Sequence, residues 1–290
     1  VLDEADRMLE MGFKEDMVTI LRAVPRTRQT VLFSATYPQA IEGMSKAYQR
    51  DPVRVTVETK TTTAEIEQLA YDIGSADRQD ALLTVLKKHP HESALVFCNL
   101  KATVDTLTQA LSNEGMSVER LHGDLEQNDR DRVMAKFRNK SVRVLIATDV
   151  AARGLDVHEL DMVVNYDLPS QHETYVHRIG RTGRAGASGL AVSLFAPREK
   201  PKLNAITEST GSNITRRTLD VSTGAAKPSE AATRTAAMVT LYISGGRKEK
   251  VRPGDVLGAL TGEAGGFDAA DIGKIEIHDH FTYVAVSKAI

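Results

Sequence analysis

Asp3 and Glu4 follow the apolar start Val1-Leu2 and place two adjacent carboxylates at the C-terminal tip of what reads as a buried strand. Oxygen donors there can hold a hydrated magnesium ion and orient an attacking water, the arrangement that phosphoryl transfer needs. Asp6 adds a third carboxylate. Ser34 and Thr36, just after Val31-Leu32-Phe33, add hydroxyls able to tie the acidic loop to a neighbouring lobe by hydrogen bonds. Taken alone, hydroxyl residues at a strand end are usually turn formers.

The segment from His177 to Arg184, His-Arg-Ile-Gly-Arg-Thr-Gly-Arg, is richer in chemistry. Arg181 and Arg184 lie three apart and can converge on one anion as an arginine finger, while the intervening glycines favour close backbone approach over a long helix. The competing reading is a solvated basic face, and His177 by itself would be structural. From Ala147 to Asp156 a hydroxyl (Thr148), two carboxylates (Asp149 and Asp156), a guanidinium (Arg153) and a glycine (Gly154) cluster after another apolar run. Gln127 to Arg130, continued by Arg132, Lys136, Arg138, Lys140 and Arg143, can track a phosphate backbone. The plainer reading of that run is the wet face of an amphipathic helix.

Positioning these groups requires strands and helices in alternation. Short apolar or β-branched runs predict strands over 31–33, 53–57, 94–97, 118–121, 142–147, 162–166 and 190–195. Helical spacing of Leu82, Val85 and Leu86, then of Val104, Leu107 and Leu111, predicts helices over 77–88 and 101–114, with a third over 127–138. This is the pattern of parallel sheets covered by helices. Residues 58–70 lack apolar periodicity and read as a linker between a first lobe (1–57) and a second (71–210), and 211–236 reads as a second linker. Beyond it, strands over 238–243, 272–277 and 283–286 with a helix over 253–260 give a β-α-β-β order, the first part of a small RNA-binding sheet module. Arg247, Lys248, Lys250 and Arg252 form its basic cluster, with a solvated turn as the alternative.

Composition bounds the rest. Lysine plus arginine at 37 against aspartate plus glutamate at 39 leaves no global basic field, so any nucleic-acid site is local. The single cysteine, Cys98, excludes an internal disulfide framework, suits a reducing cytoplasm and reads as a small core residue. No apolar stretch approaches the roughly 20 residues of a membrane span.

These motifs, from the Asp-Glu-Ala-Asp tetrapeptide to the arginine segment, resemble the DEAD-box family of ATP-dependent RNA helicases over about residues 1–195. The segments 241–248, 255–262 and 271–275 are similar to the C-terminal domain of a bacterial branch of that family that acts on ribosomal RNA. The resemblance implies an α/β fold of two RecA-like parallel-sheet lobes, the first incomplete, plus a partial α+β RRM-like C-terminal domain. It implies ATP and Mg2+ as cofactors, with Asp3 holding the ion through water, Glu4 orienting the hydrolytic water, and Asp6, Ser34, Thr36 and His177 coupling hydrolysis to RNA. Arg181 and Arg184 would meet the γ-phosphate and Asp156 the ribose. Gln127, Arg130, Thr148 and Gly154 would lie along the RNA. The implied partners are large-subunit ribosomal RNA and pre-ribosomal particles, with no membrane.

One family feature has no counterpart. A phosphate-cradling G-x-x-x-x-G-K-S/T loop does not occur in these 290 residues, the one Gly-Lys pair being Gly273-Lys274. The expectation is therefore a chain extended in both directions in its native protein and inactive alone as an ATPase. Two alternatives stand beside the helicase fragment: a non-catalytic RNA-binding module, and a DNA translocase sharing the same lobes, which the tetrapeptide spelling and the tail argue against.

Overall fold

A computed structural model of the chain describes residues 1–34, 36–56, 66–152, 160–183, 189–221, 235–262 and 265–288, apart from the side chains of Arg7 and Glu10. It contains two compact units, Val1–Lys60 and Thr61–Ile290.

In the first unit, helices α1 (Ala5–Glu10), α2 (Lys14–Ala23) and α3 (Gln39–Tyr48) enclose a core of Ala5, Met17, Leu21, Ile41 and Met44. Met17 and Leu21, four apart, share one helix face, while Glu15 and Asp16 at the start of α2 and Arg22 at its end complement the helix dipole. Leu2 lies parallel to the 31–33 segment: its N–H donates to the Val31 carbonyl at 2.8 Å and its carbonyl accepts from Phe33 N–H at 2.8 Å. The expected 53–57 strand is not formed over 53–56. Val53 and Val55 are 87% and 81% exposed and pair with no strand among the described residues, and a strand is stable only against a neighbour.

The second unit is built on a seven-stranded sheet. Its elements run β1 (Ile66–Asp72), α4 (Arg78–Lys88), β2 (Ala94–Cys98), α5 (Lys101–Asn113), β3 (Val118–Leu121), α6 (Gln127–Arg138), β4 (Val144–Thr148), α7 (Asp149–Ala152), β5 (Met162–Asn165), α8 (His172–Ile179), β6 (Gly189–Phe195), α9 (Lys200–Thr210) and β7 (Thr215–Thr218). The strand order is β3-β4-β2-β5-β6-β1-β7, all pairings parallel. Strands β2, β4 and β5 are buried throughout, which is why they read as unbroken apolar runs. The stripes on α4 and α5 fill one side of the sheet, and Val133, Met134 and Phe137 of α6 fill the other. Asp77 caps α4, its carboxylate accepting the N–H groups of Gln79 at 2.8 Å and Asp80 at 3.2 Å. Cys98 is buried, and that burial pushes its thiol well up from the usual range, as befits an inert core residue. Two strands fall where linkers are expected. β1 begins at Ile66, inside the 58–70 stretch, and β7 lies within 211–236.

The last part of this unit is a three-stranded antiparallel sheet, β8 (Met238–Ile243), β9 (Ile272–Ile277) and β10 (Thr282–Ser287), in the order β8-β10-β9, with helix α10 (Pro253–Thr261). Val256 of α10 packs on Val284 and Val286 from one face. The other face meets α6 and the turn after it: Arg138 forms a two-bond pair with Glu276 at 2.9 and 2.8 Å, and Ser141 and Thr240 share a hydroxyl hydrogen bond of 2.6 Å. No helix among the described residues is long and apolar enough to cross a membrane.

Candidate functional site

In the first unit the acidic loop is locked by its third carboxylate. Asp6 is 5% exposed and accepts both Thr36 N–H at 2.8 Å and the Thr36 hydroxyl at 2.7 Å. Ser34 accepts Asp6 N–H at 3.3 Å and donates to the Thr36 carbonyl at 2.6 Å. The two hydroxyls expected to bridge the acidic loop to another lobe therefore close on the loop itself. Asp3 and Glu4 stay exposed beside this lattice, with Glu4 N–H donating to the Asp3 carboxylate at 3.0 Å. Glu4 has φ of 48°, a left-handed conformation that an L-residue adopts at a cost. No group of three or more metal-ligating side chains occurs among the described residues. A pair of exposed carboxylates with room for water fits magnesium, which is bound by one or two protein oxygens plus waters and substrate phosphates.

In the second unit the candidate residues gather at the C-terminal ends of the parallel strands, where open α/β sheets bind ligands. Thr148 ends β4, and Arg130 reaches over from α6 to donate to the Ala151 carbonyl of α7 at 3.4 Å. Gln127 donates to Asp131 at 2.8 Å, so its amide is engaged within its own helix. α8 carries His177, exposed, and hands the chain through Gly180 to Arg181. The turn is tight because Thr182, fully buried, donates its hydroxyl to the Leu160 carbonyl, and Gly183 has φ of 66°. Gly189 at the start of β6 belongs to the same device, since a Cβ there would overlap Thr182 and Gly183. Arg184, Gly154 and Asp156 lie outside the described residues.

The basic run on α6 is corrected by the structure. Arg132 pairs with Asp129 at 2.7 Å, Lys136 with Glu119 at 2.7 Å, and Arg138 with Glu276. Arg143 is 6% exposed along its side chain and donates to the His91 carbonyl. These four cations face carboxylates and carbonyls of the protein itself, which fits the plainer reading of the run as the wet face of a helix, while Lys140 stays exposed. Glu276 shows how firmly they are engaged. Burial penalises its charged form, but the hydrogen bonds from Arg138 and Lys274 outweigh that and hold its carboxyl below the ordinary glutamate range.

A feature missed by the sequence reading sits on the small sheet. Tyr242 of β8 stands directly opposite Tyr283 of β10. Around them Phe281 stacks on Tyr242 with centroids 5.8 Å apart and on His278 at 4.5 Å. Tyr242 is 62% exposed, a large solvent-facing ring of the kind on which bases stack. The alternation Phe281-Thr282-Tyr283 is the signal that could have disclosed it. The basic loop is pinned beside these rings: Arg247 N–H donates to the His278 carbonyl at 2.8 Å and Lys248 N–H to that of Asp279 at 2.9 Å. Gly246 permits this, because a Cβ there would overlap the backbone of His278 and Asp279. The Arg247 and Lys248 side chains remain 69% and 61% exposed; Arg247 donates to the Ile277 carbonyl at 3.2 Å, the Lys248 ammonium lies 3.2 Å from His280 Nε2, and Asp279 lies 4.0 and 3.7 Å from the two. Lys250 takes φ of 65° in the turn, and Arg252 is the N-cap residue of α10, its N–H donating to Asp255 at 2.9 Å.

Comparison with known proteins follows the same division. Residues 1–44 match the DEAD/DEAH box helicase family, 77–186 the helicase conserved C-terminal domain and 240–290 the DbpA RNA binding domain. The chain is 48% identical over 290 residues to the ATP-dependent RNA helicase DbpA of Escherichia coli, covering all of this chain and 62% of that protein. Saccharomyces cerevisiae Dbp5, solved bound to RNA and ADP BeF3, is 35% identical with a TM-score of 0.67, over 80% of this chain and 62% of that one. The solved C-terminal domain of the DEAD-box protein Dbp5 is 39% identical with a TM-score of 0.50, over 53% of this chain and 91% of that domain.

Proposed function

Since the chain belongs to the DEAD-box helicase family, we propose that the protein carrying it is an ATP-dependent RNA helicase, which separates short RNA duplexes as it binds and hydrolyses ATP. The observation that carries this reading is the buried Asp6 gripping both the N–H and the hydroxyl of Thr36. That grip ties the loop bearing Asp3 and Glu4 to the 34–36 segment, so a change at one is felt at the other. Asp3 would hold magnesium through water, and the ion when bound neutralises phosphate charge. Glu4 orients the hydrolytic water, while Arg181 and Arg184 stabilise charge on the γ-phosphate and Asp156 contacts the ribose. Thr148, Gly154, Gln127 and Arg130 line the RNA path, with His177 joining Asp6, Ser34 and Thr36 in coupling.

The rings at 242 and 281 and the cations at 247 and 248 support a second RNA contact with bases stacked and phosphates paired. Its target we take to be large-subunit ribosomal RNA in assembling ribosomal particles in the cytoplasm; the match of 240–290 to the DbpA RNA binding domain supports the RNA contact itself. The test is ATP hydrolysis by the complete protein with no RNA, with a large-subunit ribosomal RNA fragment and with unrelated RNA of equal length. Stimulation by the ribosomal fragment alone is the expected result; equal stimulation by both removes the ribosomal target. RNA binding with no hydrolysis establishes instead a non-catalytic RNA-binding protein.

A further inference from the structure

Arg178 is the largest fully buried side chain among the described residues, 1% exposed, and nothing in the proposed chemistry uses it. An arginine has five N–H donors, and here all are engaged. Nε and Nη2 donate to the two oxygens of Asp149, each at 2.7 Å. Nη1 donates to the Asp167 carbonyl at 2.6 Å and the Asn165 side-chain oxygen at 3.1 Å, and Nη2 also to the Asn99 side-chain oxygen at 3.0 Å. Asn165 in turn donates to Ser193 at 3.2 Å. Asp149 follows β4, Asn99 follows β2 and Asn165 ends β5, so one guanidinium fastens the tips of three strands adjacent in the order β4-β2-β5, and Asn165 relays the contact to Ser193 within β6.

The main chain of the same residue points the other way. The Arg178 carbonyl accepts Arg181 N–H at 3.2 Å, so the residue that grips the strand tips also holds the turn bearing the candidate γ-phosphate arginine. Asp149 is the immediate neighbour of Thr148, on the candidate RNA path. On the helicase reading above, on which this inference rests, we infer that Arg178 is a positioning residue. It keeps the RNA-facing strand tips and the nucleotide-facing turn in one register, so that RNA seated at Thr148 sets the place of Arg181.

A buried arginine held only for stability would, when replaced, lower the folded fraction and leave the surviving molecules coupled. Arg178→Lys separates the two cases. Lysine keeps the charge but has a compact ammonium with three donors, which cannot make a forked pair with Asp149 and span Asn99 and Asn165 as well. In the complete protein, measured at a temperature where circular dichroism shows the variant folded, the ratio of RNA-stimulated to RNA-independent kcat is expected to fall about tenfold or more. The KM for ATP is expected to stay within about threefold. A folded variant with an unchanged ratio overturns the inference. Should Arg178→Lys not fold, Asn99→Ala removes one exposed acceptor of the same guanidinium. It is expected to lower the ratio by about threefold, and an unchanged ratio there overturns the inference equally. Absence of RNA stimulation in the unsubstituted protein would instead overturn the helicase reading, which keeps the two failures distinct.

Discussion

Two segments of this chain carry a comparable density of positive charge and hold it in different surroundings. On α6 and the turn after it, Arg132, Lys136 and Arg138 each meet a carboxylate within 2.8 Å. In the loop before α10, Arg247 and Lys248 have their backbones pinned to the β9–β10 hairpin while their side chains stay mostly in solvent, beside the half-buried Phe281 that stacks on the exposed Tyr242. Cations in close pairs with the protein's own acids release fewer counterions when a polyanion arrives than cations that stay mostly in solvent with looser carboxylate contacts. What separates the two segments is thus how closely carboxylates approach the cations, 2.7–2.8 Å on α6 against 3.7–4.0 Å in the loop, which charge density along the sequence does not show.

The largest effect should come from the rings. Base stacking on an aromatic side chain is worth about 1–3 kcal/mol, so Tyr242→Ala is expected to weaken binding of single-stranded RNA by about 5- to 150-fold, with Phe281→Ala adding to it. Because Tyr242 is largely exposed, thermal stability should change by less than about 1 kcal/mol. Unchanged affinity in fluorescence anisotropy at fixed salt would place the RNA elsewhere and dissolve the contrast.

Next in size is the pair that consumes the α6 charge. Glu276 is 11% exposed along its side chain, so Glu276→Gln leaves Arg138 with a neutral partner and is expected to cost about 1–3 kcal/mol in urea unfolding at pH 7. Because the folded-state carboxyl titrates below its ordinary value of 4.5, its stabilisation is complete above pH 4.5 and fades as pH falls through the lower, folded-state value. The unsubstituted protein should therefore lose its advantage over Glu276→Gln on acidification; a constant difference from pH 7 to pH 3 would show that the pair carries no such charge.

A third experiment sharpens the comparison from the other side. Replacing Arg247 and Lys248 together by alanine should reduce the slope of log affinity against log salt by about 0.7 per lost contact on single-stranded RNA, with affinity falling about tenfold at moderate salt and alike for all sequences. A loss confined to one RNA sequence would make these residues base readers instead of phosphate contacts.

Much of this was legible in the sequence for a definite reason. β2, β4 and β5 are buried on both faces and so appear as apolar runs, and the helices betray themselves by stripes such as Val104, Leu107 and Leu111. β7 was not legible because Thr215–Thr218 is wholly exposed and polar; only its ladder with β1 makes it a strand. β1 hides for a related reason, its inward Gln68 being a buried polar residue that accepts the Tyr175 hydroxyl at 3.0 Å. At the site, the sequence displays Asp6, Ser34 and Thr36 but reads the hydroxyls as a bridge to a neighbouring lobe; their closing on the acidic loop itself becomes visible only in the fold. The ring pair is hidden as well, because Tyr242 and Tyr283 become neighbours only through strand register.

The smallest expected effect is the most discriminating control. Arg132 and Asp129 form an i,i+3 pair with side chains 58% and 44% exposed, a geometry in which solvent screens most of the attraction. Arg132→Ala should therefore shift stability by no more than about 0.5 kcal/mol. On sequence alone Arg132 looks as good a phosphate ligand as Arg247, and net charge changes by the same single unit in Arg132→Ala and Arg247→Ala. If RNA is drawn by overall charge, the two variants weaken binding equally. If it is drawn by cations beside stacking rings, Arg132→Ala leaves both the affinity and the salt slope unmoved while Arg247→Ala lowers both, because Arg247 sits in the loop pinned beside Tyr242 and Phe281 and Arg132 stands on α6 with Asp129 at 2.7 Å.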